Sequence, residues 1–227
     1  MVEIVFKNND VVVISKKAGI PSQADPTGDK DAMSYTKELL SLLGERDELW
    51  LVHRLDRVVG GLIVFARNKL AAKSLSEDIR ASKLRKEYIA VVDGDVSGGI
   101  LTDYIYKDSK LSKAFALSSA RKGAKYAELE YEAIAKVETE RGIYTLVSIK
   151  LKTGRFHQIR VQFASRGTPL VGDGKYGCHD NRAKMPALFA SRLGFKIRKE
   201  EIDIKKLPDI SSYPWSSFES VLKERND

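Results

Sequence analysis

A short charged segment between two apolar runs is the feature that most constrains how this chain folds. The apolar runs are residues 49–52 and 62–66, and the segment between them closes with Gly60 and Gly61. Short apolar runs bounded by polar and glycine residues are typical of strands joined by a tight, exposed loop. The sequence therefore predicts two strands here, with the charged segment at the rim of a core.

Asp56 lies in this segment, between Arg54 and Arg57. Neighbouring guanidinium groups favour the ionised form of a carboxyl group. The pattern therefore predicts a carboxylate that is available as a nucleophile or a base. An ordinary surface turn of the same composition stays open as the alternative.

The composition indicates a globular protein with an affinity for polyanions. The chain has 227 residues, of which 43% are hydrophobic, and a formal net charge of +8, which suits a packed core and nucleic-acid partners. Its apolar runs are too short to cross a bilayer, and its first residues do not resemble a signal peptide. The single cysteine, Cys178, cannot form an internal disulfide. We therefore expect a cytoplasmic protein without membrane contact.

Positive charge is concentrated in residues 104–125. This stretch has one acid, Asp108, and its basic residues are Lys107, Lys110, Lys113, Arg121, Lys122 and Lys125. It is either a solvated loop that confers solubility or part of a surface for a polyanion.

Local patterns elsewhere predict both strands and helices. Residues 4–6 and 11–14 are expected to form a hairpin, and helices are expected at residues 32–43, with the leucines on or near one face, and after Asn68, with Leu70, Leu75 and Ile79 along one stripe. Further strands are predicted at residues 87–92, 129–137, 143–151 and 187–195. Because no repeat or linker divides the chain, a single domain is expected.

The strand pattern of residues 143–151 gives way to helical spacing after Thr153 and Gly154. Arg155 then lies at the expected start of a helix, where a basic side chain opposes the helix dipole. A phosphate or a buried carboxylate bound there would offset this cost. An exposed basic turn that pairs with nearby acids stays open.

Two patterns resemble ligand-binding motifs but lack the required context. The glycines of residues 172–177 have dinucleotide-fingerprint spacing, yet they follow a helix rather than a strand. His53, His157 and His179 lack metal-ligand spacing. We therefore predict no nucleotide cofactor and no metal, and structural or RNA-facing positions for the histidines.

Three separated segments of the chain carry distinctive motifs. They are His53-Arg54-Leu55-Asp56 before Gly61, the strand that contains Lys86 and Tyr88, and the segment from Thr153-Gly154-Arg155 to Gly177. In order and spacing these segments resemble the pseudouridine synthases, in particular the RluA family. Residues 9–20 also resemble that family's opening hairpin, so the likeness covers essentially the whole chain.

The resemblance implies an α+β fold, with one catalytic domain over residues 1–227. Its sheet would be curved and mainly antiparallel, flanked by helices, with an RNA cleft across it and no separate S4-type RNA-binding domain. The implied reaction converts uridine to pseudouridine in structured rRNA or tRNA, with no cofactor, no metal and no obligatory protein partner.

The same resemblance assigns roles to individual residues. Asp56 would either attack C1′ of the ribose or assist deprotonation at C2′, Tyr88 would stack on the target base and move a proton, and Arg155 would pair with Asp56. Arg54 would fill the space that the flipped base leaves. The other expected RNA contacts are His53, Arg57, Lys86, Lys113, Arg121, Lys122, Lys125, His157, Gln158 and Arg160.

The chain departs from the family in two places. It has Val59-Gly60-Gly61, or Val58-Val59-Gly60 if the alignment slips by one residue, where the family usually has Thr-Ser-Gly. It also has Lys16-Lys17-Ala18-Gly19 where the family has Lys-Pro-x-Gly. The first change either loosens the loop that presents Asp56 or is a tolerated variant of the turn. A noncatalytic RNA-binding or RNA-folding protein is therefore the main alternative. A hydrolase that uses Asp56 is a distant one, because no second carboxylate is positioned to help it.

Overall fold

The structure, a computed structural model, describes residues 2–225. Two compact units make up the chain, and each is built from two separate stretches of sequence. The first unit extends to residue 86 and includes residues 189–208, and the second comprises residues 87–188 and the part from residue 209 onward.

The helices and strands are defined in chain order. They are β1 (Val2–Lys7), β2 (Val11–Lys16), α1 (Ala32–Leu42), β3 (Trp50–Leu51), β4 (Gly60–Ala66), α2 (Lys69–Arg80), β5 (Arg85–Asp93), β6 (Gly98–Asp108), β7 (Lys113–Leu117), β8 (Ala124–Thr139), β9 (Gly142–Leu151), α3 (Gln158–Ala164), β10 (Leu188–Ile197), β11 (Glu200–Lys205) and α4 (Glu219–Glu224).

The first unit is a sheet covered on both faces by helices. Its strands lie in the order β1, β2, β4, β10 and β11, with β3 also paired to β4. Only the β4–β10 pairing is parallel among the pairings described in this unit. Side chains alternate across a strand, so Ile63 and Phe65 pack with the buried side of α1, whereas Leu62 and Val64 pack with α2. Strand β4 is consequently buried along its whole length.

The second unit contains an antiparallel sheet of strands in the order β5, β9, β8, β6 and β7. Helix α3 packs on one face of this sheet, where Val161 joins a core cluster with Ile105, Ala114 and Ala127. The sheets and helices of the two units confirm the predicted α+β class with mainly antiparallel strands.

A buried carboxylate anchors the last segment of the second unit. Asp180 accepts hydrogen bonds from the hydroxyls of Tyr144 and Tyr213 and is paired with Arg182. The pKa of Asp180 is lowered, chiefly by the hydrogen bonds from Arg182. Trp215 and Phe218, which follow in the sequence, are buried, so these aromatic residues belong to the core.

Most predicted elements are present, and in both early helices part of the predicted apolar face is exposed to solvent. The opening hairpin, both early helices and strand β9 lie where the sequence predicts them, and Asn68 caps α2 by accepting from the Ala71 amide. In α1, however, Leu42 is 83% exposed, and in α2 Leu70 is 78% exposed. A sheet contacts only a narrow stripe of a helix, which here includes Leu40 and Leu75.

The structure contradicts one interpretation of the basic stretch, that of a solvated loop. Instead of an extended loop, residues 104–125 form the end of β6, all of β7 and the start of β8. Strand alternation was obscured because lysines occupy both sides of these strands. The expectation of a single catalytic domain stays a prediction.

Within residues 2–225, no helix is long and apolar enough to span a membrane. The same residues contain no cluster of three or more His, Cys, Asp or Glu side chains that is arranged to hold a metal ion.

Candidate active site

The loop that presents Asp56 is fixed at its base by strand pairing and by one serine. Strand β3 pairs with β4 through Trp50 and Leu51, which confirms the predicted pair of strands. The buried Ser22 hydroxyl donates to the Leu55 carbonyl (2.8 Å) and accepts from the Leu55 amide (3.1 Å). The Val59 amide then donates to the Asp56 carbonyl (3.0 Å). Asp56 therefore begins a hydrogen-bonded turn, and the residue before it, Leu55, is held in place by Ser22.

A buried lysine lies under this turn. Lys16 ends β2 and is inaccessible to solvent. Its Nζ donates to the main-chain carbonyls of Ile20 (2.7 Å), Arg57 (3.2 Å), Lys17 (3.3 Å) and Asp56 (3.4 Å). Burial lowers the pKa of Lys16 to about 7, although the Asp56 carboxylate opposes that shift. Lys16 thus ties the Asp56 turn to the loop after β2.

His53 extends the β3–β4 pairing with its side chain. Its Nε2 accepts from the Val64 amide (3.1 Å), so the imidazole proton is on Nδ1. Burial, with a smaller contribution from Lys86, lowers the pKa of His53 to about 3. A neutral His53 therefore has a structural contact at the base of the loop, and the predicted RNA contact stays a prediction.

The two arginines beside Asp56 have different surroundings. Arg54 is exposed, whereas Arg57 donates to Thr27 (2.9 Å) and is paired with Asp29. Asp25, whose pKa is lowered chiefly by hydrogen bonds from Thr27, lies 3.9 Å from the Arg57 guanidinium. Arg57 thereby orders the polar loop before α1.

The two glycines after the turn meet different constraints. Gly61 has φ +119°, and a Cβ there would lie 2.4 Å from the Ala190 backbone of β10, so only glycine fits. At Gly60 a Cβ would lie 3.1 Å from the Phe189 ring and 3.3 Å from the Lys16 carbonyl. A side chain at Gly60 would therefore press on the Phe189 ring and on the Lys16 carbonyl.

Tyr88 and Lys86 belong to strand β5, at the boundary between the units. Tyr88 is buried and lies opposite Ile149 of β9. Lys86 is half-buried, and burial lowers its pKa. The structure thus holds Tyr88 on a regular strand, where its backbone is rigid.

The segment after β9 is organised around a glutamine. Gln158 is buried, and its Oε1 accepts from the Thr153 hydroxyl (2.8 Å) and the Arg155 amide (2.9 Å), while its Nε2 donates to the Glu128 carbonyl (3.0 Å). Helix α3 begins at Gln158, so the helix-dipole argument for an anion at Arg155 does not apply. Gln158 supports this turn from inside, and the RNA contact predicted for it stays a prediction.

Arg155 is half-buried beside this glutamine. Its Nε donates to the Tyr126 carbonyl (2.7 Å). Asp56 lies in the first unit and Arg155 in the second, and the pair predicted between them stays a prediction.

Arg160 is held by a carboxylate within the same unit. Its Nε and Nη2 donate to the two carboxylate oxygens of Asp173 at 2.7 and 2.8 Å, and both side chains are buried. This bidentate geometry fixes the guanidinium plane. Asp173 belongs to the glycine-rich segment, whose glycines allow the tight turns that surround it. The predicted RNA contact of Arg160 stays a prediction.

His157 is linked to strand β7 through Tyr176. The Ala114 amide donates to the Tyr176 hydroxyl (2.8 Å), and that hydroxyl lies 2.8 Å from His157 Nδ1. Because a hydroxyl can accept two hydrogen bonds and also donate one, this contact forms with either tautomer of His157. Burial, followed by the nearby cations Arg160, Lys175 and Lys107, lowers the pKa of His157 to about 3.

The remaining predicted RNA contacts lie on strands β7 and β8 and in the connection between them. Lys113 is half-buried, with its Nζ 5.4 Å from the centre of the Tyr176 ring. Arg121, Lys122 and Lys125 are exposed. All four are in the second unit, as are His157, Gln158 and Arg160.

Comparison with known proteins identifies the family. Residues 10–165 match the model of the family described as RNA pseudouridylate synthase. The chain belongs to this family. The matched range includes Asp56, Tyr88 and Arg155, and the predicted membership of the pseudouridine synthases, RluA family, is confirmed.

Curated members of the family cover most of this chain. An RNA pseudouridine synthase of Bacillus subtilis, YhcT, described as uncharacterized, is 31% identical over 84% of this chain and 63% of its own length. The ribosomal large subunit pseudouridine synthase D of Borreliella burgdorferi is 29% identical over 94% of this chain and 65% of its own. The chain therefore spans slightly less than two thirds of these relatives. The tRNA pseudouridine synthase C of Haemophilus ducreyi is 32% identical over 86% of this chain and 83% of its own.

Solved structures agree on the fold. Human RNA pseudouridylate synthase domain containing 4 superimposes with a TM-score of 0.75 at 23% identity, covering 97% of this chain and 92% of that one. The human domain containing 1 protein gives a TM-score of 0.77 at 21% identity, covering 96% and 87%. This likeness confirms the fold predicted from the resemblance.

Sequence reasoning missed three residues that support the site. Ser22 and Lys16 hold the Asp56 turn, and Tyr176 holds His157. A lysine at the end of the apolar run of β2 was a usable signal, because a lysine in such a strand is buried only when its ammonium finds acceptors. The contacts of Ser22 and Tyr176 are long-range and leave no local pattern.

Proposed function

We propose that this protein converts specific uridines to pseudouridines in structured RNA, without a cofactor or a metal. The observation that carries this proposal is the family match over residues 10–165, within which the turn at Asp56 is fixed by Lys16 and Ser22. A reaction that detaches and rejoins a base requires a carboxylate held precisely at the sugar, and a rigid turn meets that requirement.

The proposed roles follow the resemblance. Asp56 acts at the ribose, by attack on C1′ or by assisting deprotonation at C2′, so that the uracil can rotate and rejoin through C5. Tyr88 stacks on the uracil and moves a proton. Arg155 pairs with Asp56 and keeps it ionised. Tyr88→Phe and Arg155→Lys test the roles of Tyr88 and Arg155 when pseudouridine formation and RNA affinity are measured separately for each variant.

RNA capture requires the target nucleotide to leave its helix or loop. We assign to Arg54, which is exposed, the filling of the vacated space. The exposed Arg121, Lys122 and Lys125 contact phosphates, together with Lys113. His53, Arg57, Lys86, His157, Gln158 and Arg160 complete the proposed set, in which the buried members act by holding the loops that touch RNA.

The substrate is proposed from the names of relatives. One relative is a large-subunit ribosomal synthase and another a tRNA synthase, so rRNA and tRNA are the proposed substrate classes. A cytoplasmic location, a single catalytic domain and independence from an obligatory protein partner are part of the same proposal.

The experiment uses RNA from cells in which the gene has been deleted. Total RNA is incubated with the purified protein, and pseudouridines are mapped before and after. We expect new pseudouridine at defined positions with the wild type and with Asp47→Asn, a control at an exposed carboxylate, and none with Asp56→Asn. The noncatalytic alternative predicts binding without any new pseudouridine from any of the three proteins.

A further inference from the structure

One face of the strands β6, β7 and β8 carries four aromatic rings. Tyr104 lies opposite both Leu117 and Tyr126, and Tyr106 lies opposite Phe115. Directly opposed residues in a sheet project to the same side. We call the side formed by Tyr104, Tyr106, Phe115, Leu117 and Tyr126 the aromatic face.

The other side of these strands is the one that packs inside the second unit. Ile105, Ala114 and Ala127 alternate with the aromatic residues and are buried in the cluster that includes Val161 of α3. Because neighbouring residues of a strand point to opposite sides, the aromatic face is turned away from α3.

The rings of the aromatic face are exposed to solvent. Phe115 is 39% and Tyr126 44% exposed, and Tyr104 and Tyr106 are partly exposed. Tyr104 contacts Tyr126 edge to face, with 5.9 Å between ring centres. Adjacent exposed rings on a flat strand surface are the arrangement expected of an interaction site.

Positive charge accompanies these rings. The Arg121 guanidinium lies 4.9 Å from the centre of the Tyr106 ring, and exposed Lys110 and Lys122 lie in the two connections between the strands. The nearby acids have other contacts. Asp108 accepts from the amides of Lys110 and Leu111 in the first connection, and Glu128 accepts from the Tyr126 hydroxyl.

We propose that the aromatic face binds single-stranded RNA, with unpaired bases stacked on Phe115 and Tyr126 and phosphates contacted by Arg121. Base–aromatic stacking combined with basic side chains is the general mode of single-strand recognition. A base inside a duplex has both faces covered by its neighbours, so the face selects unpaired nucleotides. The inference extends the proposed function, because such nucleotides would belong to the substrate RNA, and it rests on that function only for this connection.

The test measures binding of a labelled oligouridine of about 12 nucleotides by fluorescence anisotropy, without any isomerisation. Two matched pairs separate stacking from bulk apolarity: Phe115→Leu with Phe115→Tyr, and Tyr126→Leu with Tyr126→Phe. We expect each leucine variant to bind about tenfold more weakly, whereas both ring-retaining variants bind like the wild type. Far-UV circular dichroism and thermal melting check the fold of each variant. Arg121→Gln, at a position outside the strands, should also bind oligouridine more weakly than the wild type.

Two results would overturn the inference. One is that the leucine variants bind oligouridine as tightly as the ring-retaining variants do. The other is that the wild type binds a duplex at least as tightly as oligouridine, and that the leucine variants lose affinity for the duplex as well. Tritium release from C5-labelled substrate RNA, measured in parallel, keeps the two proposals apart. Ring-dependent oligouridine binding without tritium release contradicts the proposed function alone, and tritium release with ring-independent binding contradicts the aromatic face alone.

Discussion

Lys16 donates to four main-chain carbonyls, two of which belong to Asp56 and Arg57. Buried carbonyls that lose a donor destabilise a fold, and a turn that loses its support no longer holds its side chain precisely. Because Lys16 is entirely inside the protein, it acts on the reaction through the Asp56 turn and not by contact with RNA.

We expect Lys16→Met to lower the free energy of unfolding by about 1–3 kcal/mol and the rate of tritium release at saturating RNA by about tenfold to a hundredfold. Lys17→Met is the matched control, because Lys17 is the exposed neighbour. RNA affinity should stay near that of the wild type in both variants. A Lys16→Met enzyme with unchanged turnover would show that the turn does not depend on this lysine.

His53 links stability to pH. Its pKa is lowered from 6.5 to about 3 in the folded state, so the unfolded chain binds more protons between these pH values. Stability contributed by neutral His53 is therefore complete above pH 6.5 and is lost as the pH falls toward 3.

Urea unfolding at pH 7.5 and pH 5.5 measures this effect. The free energy of unfolding should fall between pH 7.5 and pH 5.5, and we expect this fall to be smaller by about 1 kcal/mol in His53→Gln than in the wild type. The glutamine amide oxygen can still accept from the Val64 amide. His179→Gln, at an exposed histidine, should retain the wild-type loss. Identical pH dependence in all three proteins would exclude His53 as a source of the effect.

At the scale of elements, the parallel pairing of β4 with β10 constrains the two glycines after Asp56. Gly61 faces the Ala190 backbone at a distance that no Cβ tolerates, whereas Gly60 faces the side chain of Phe189. Flexible side chains give way more easily than backbone.

We therefore expect Gly61→Ala to cost more than about 2 kcal/mol of stability and Gly60→Ala about 1 kcal/mol. Thermal or chemical denaturation of the two variants measures the difference. Equal costs, or a costlier Gly60 variant, would mean that β10 does not constrain this turn as the structure indicates.

Helix α3 depends on the buried pair of Arg160 and Asp173. Removing one member of a buried pair leaves the other charge without compensation, so Asp173→Ala should destabilise the protein by about 3–5 kcal/mol. Glu219→Ala, which breaks the exposed pair with Lys223, should cost less than about 1 kcal/mol. Similar urea midpoints for the two variants would argue against a structural pair at Asp173.

Elements with a regular pattern could be predicted from the sequence, and those stabilised by distant contacts could not. The alternation of residues 143–151 predicted β9, and the amide-accepting Asn68 predicted the start of α2. Strands β6 and β7 could not be predicted from alternation, because apolar and polar side chains occur on both sides of β6 and β7 has only five residues. Leu42 and Leu70 share a face or a stripe with buried leucines and are nevertheless exposed, because periodicity does not reveal how wide a stripe the sheet covers.

The candidate site was predictable to the extent that local motifs carry it. Asp56, Tyr88 and Arg155 were chosen by their motifs and lie within the matched family range. The supporting contacts of Gln158, Arg160 and His157 were not readable, because the same polar residue types serve both RNA contact and buried hydrogen bonding.

At the scale of the whole molecule, the residues proposed for the chemistry are distributed over the two units. Asp56 belongs to the first unit, and Tyr88 and Arg155 to the second, which also contains the whole basic stretch. Hydrogen bonds within each unit hold the segments that carry these residues. Lys16 and Ser22 hold the Asp56 turn in the first unit, and Gln158 holds the Arg155 amide in the second. The central claim is that the carboxylate of Asp56 performs isomerisation of uridine in RNA.

Release of tritium from RNA labelled at C5 of uridine tests this claim most directly, because joining C5 to C1′ expels the hydrogen at C5. We predict release by the wild type and by Asp47→Asn, and none by Asp56→Asn, although Asp56→Asn binds the RNA with nearly wild-type affinity. Absence of release by the wild type from an RNA that it binds would contradict the account, as would undiminished release by Asp56→Asn.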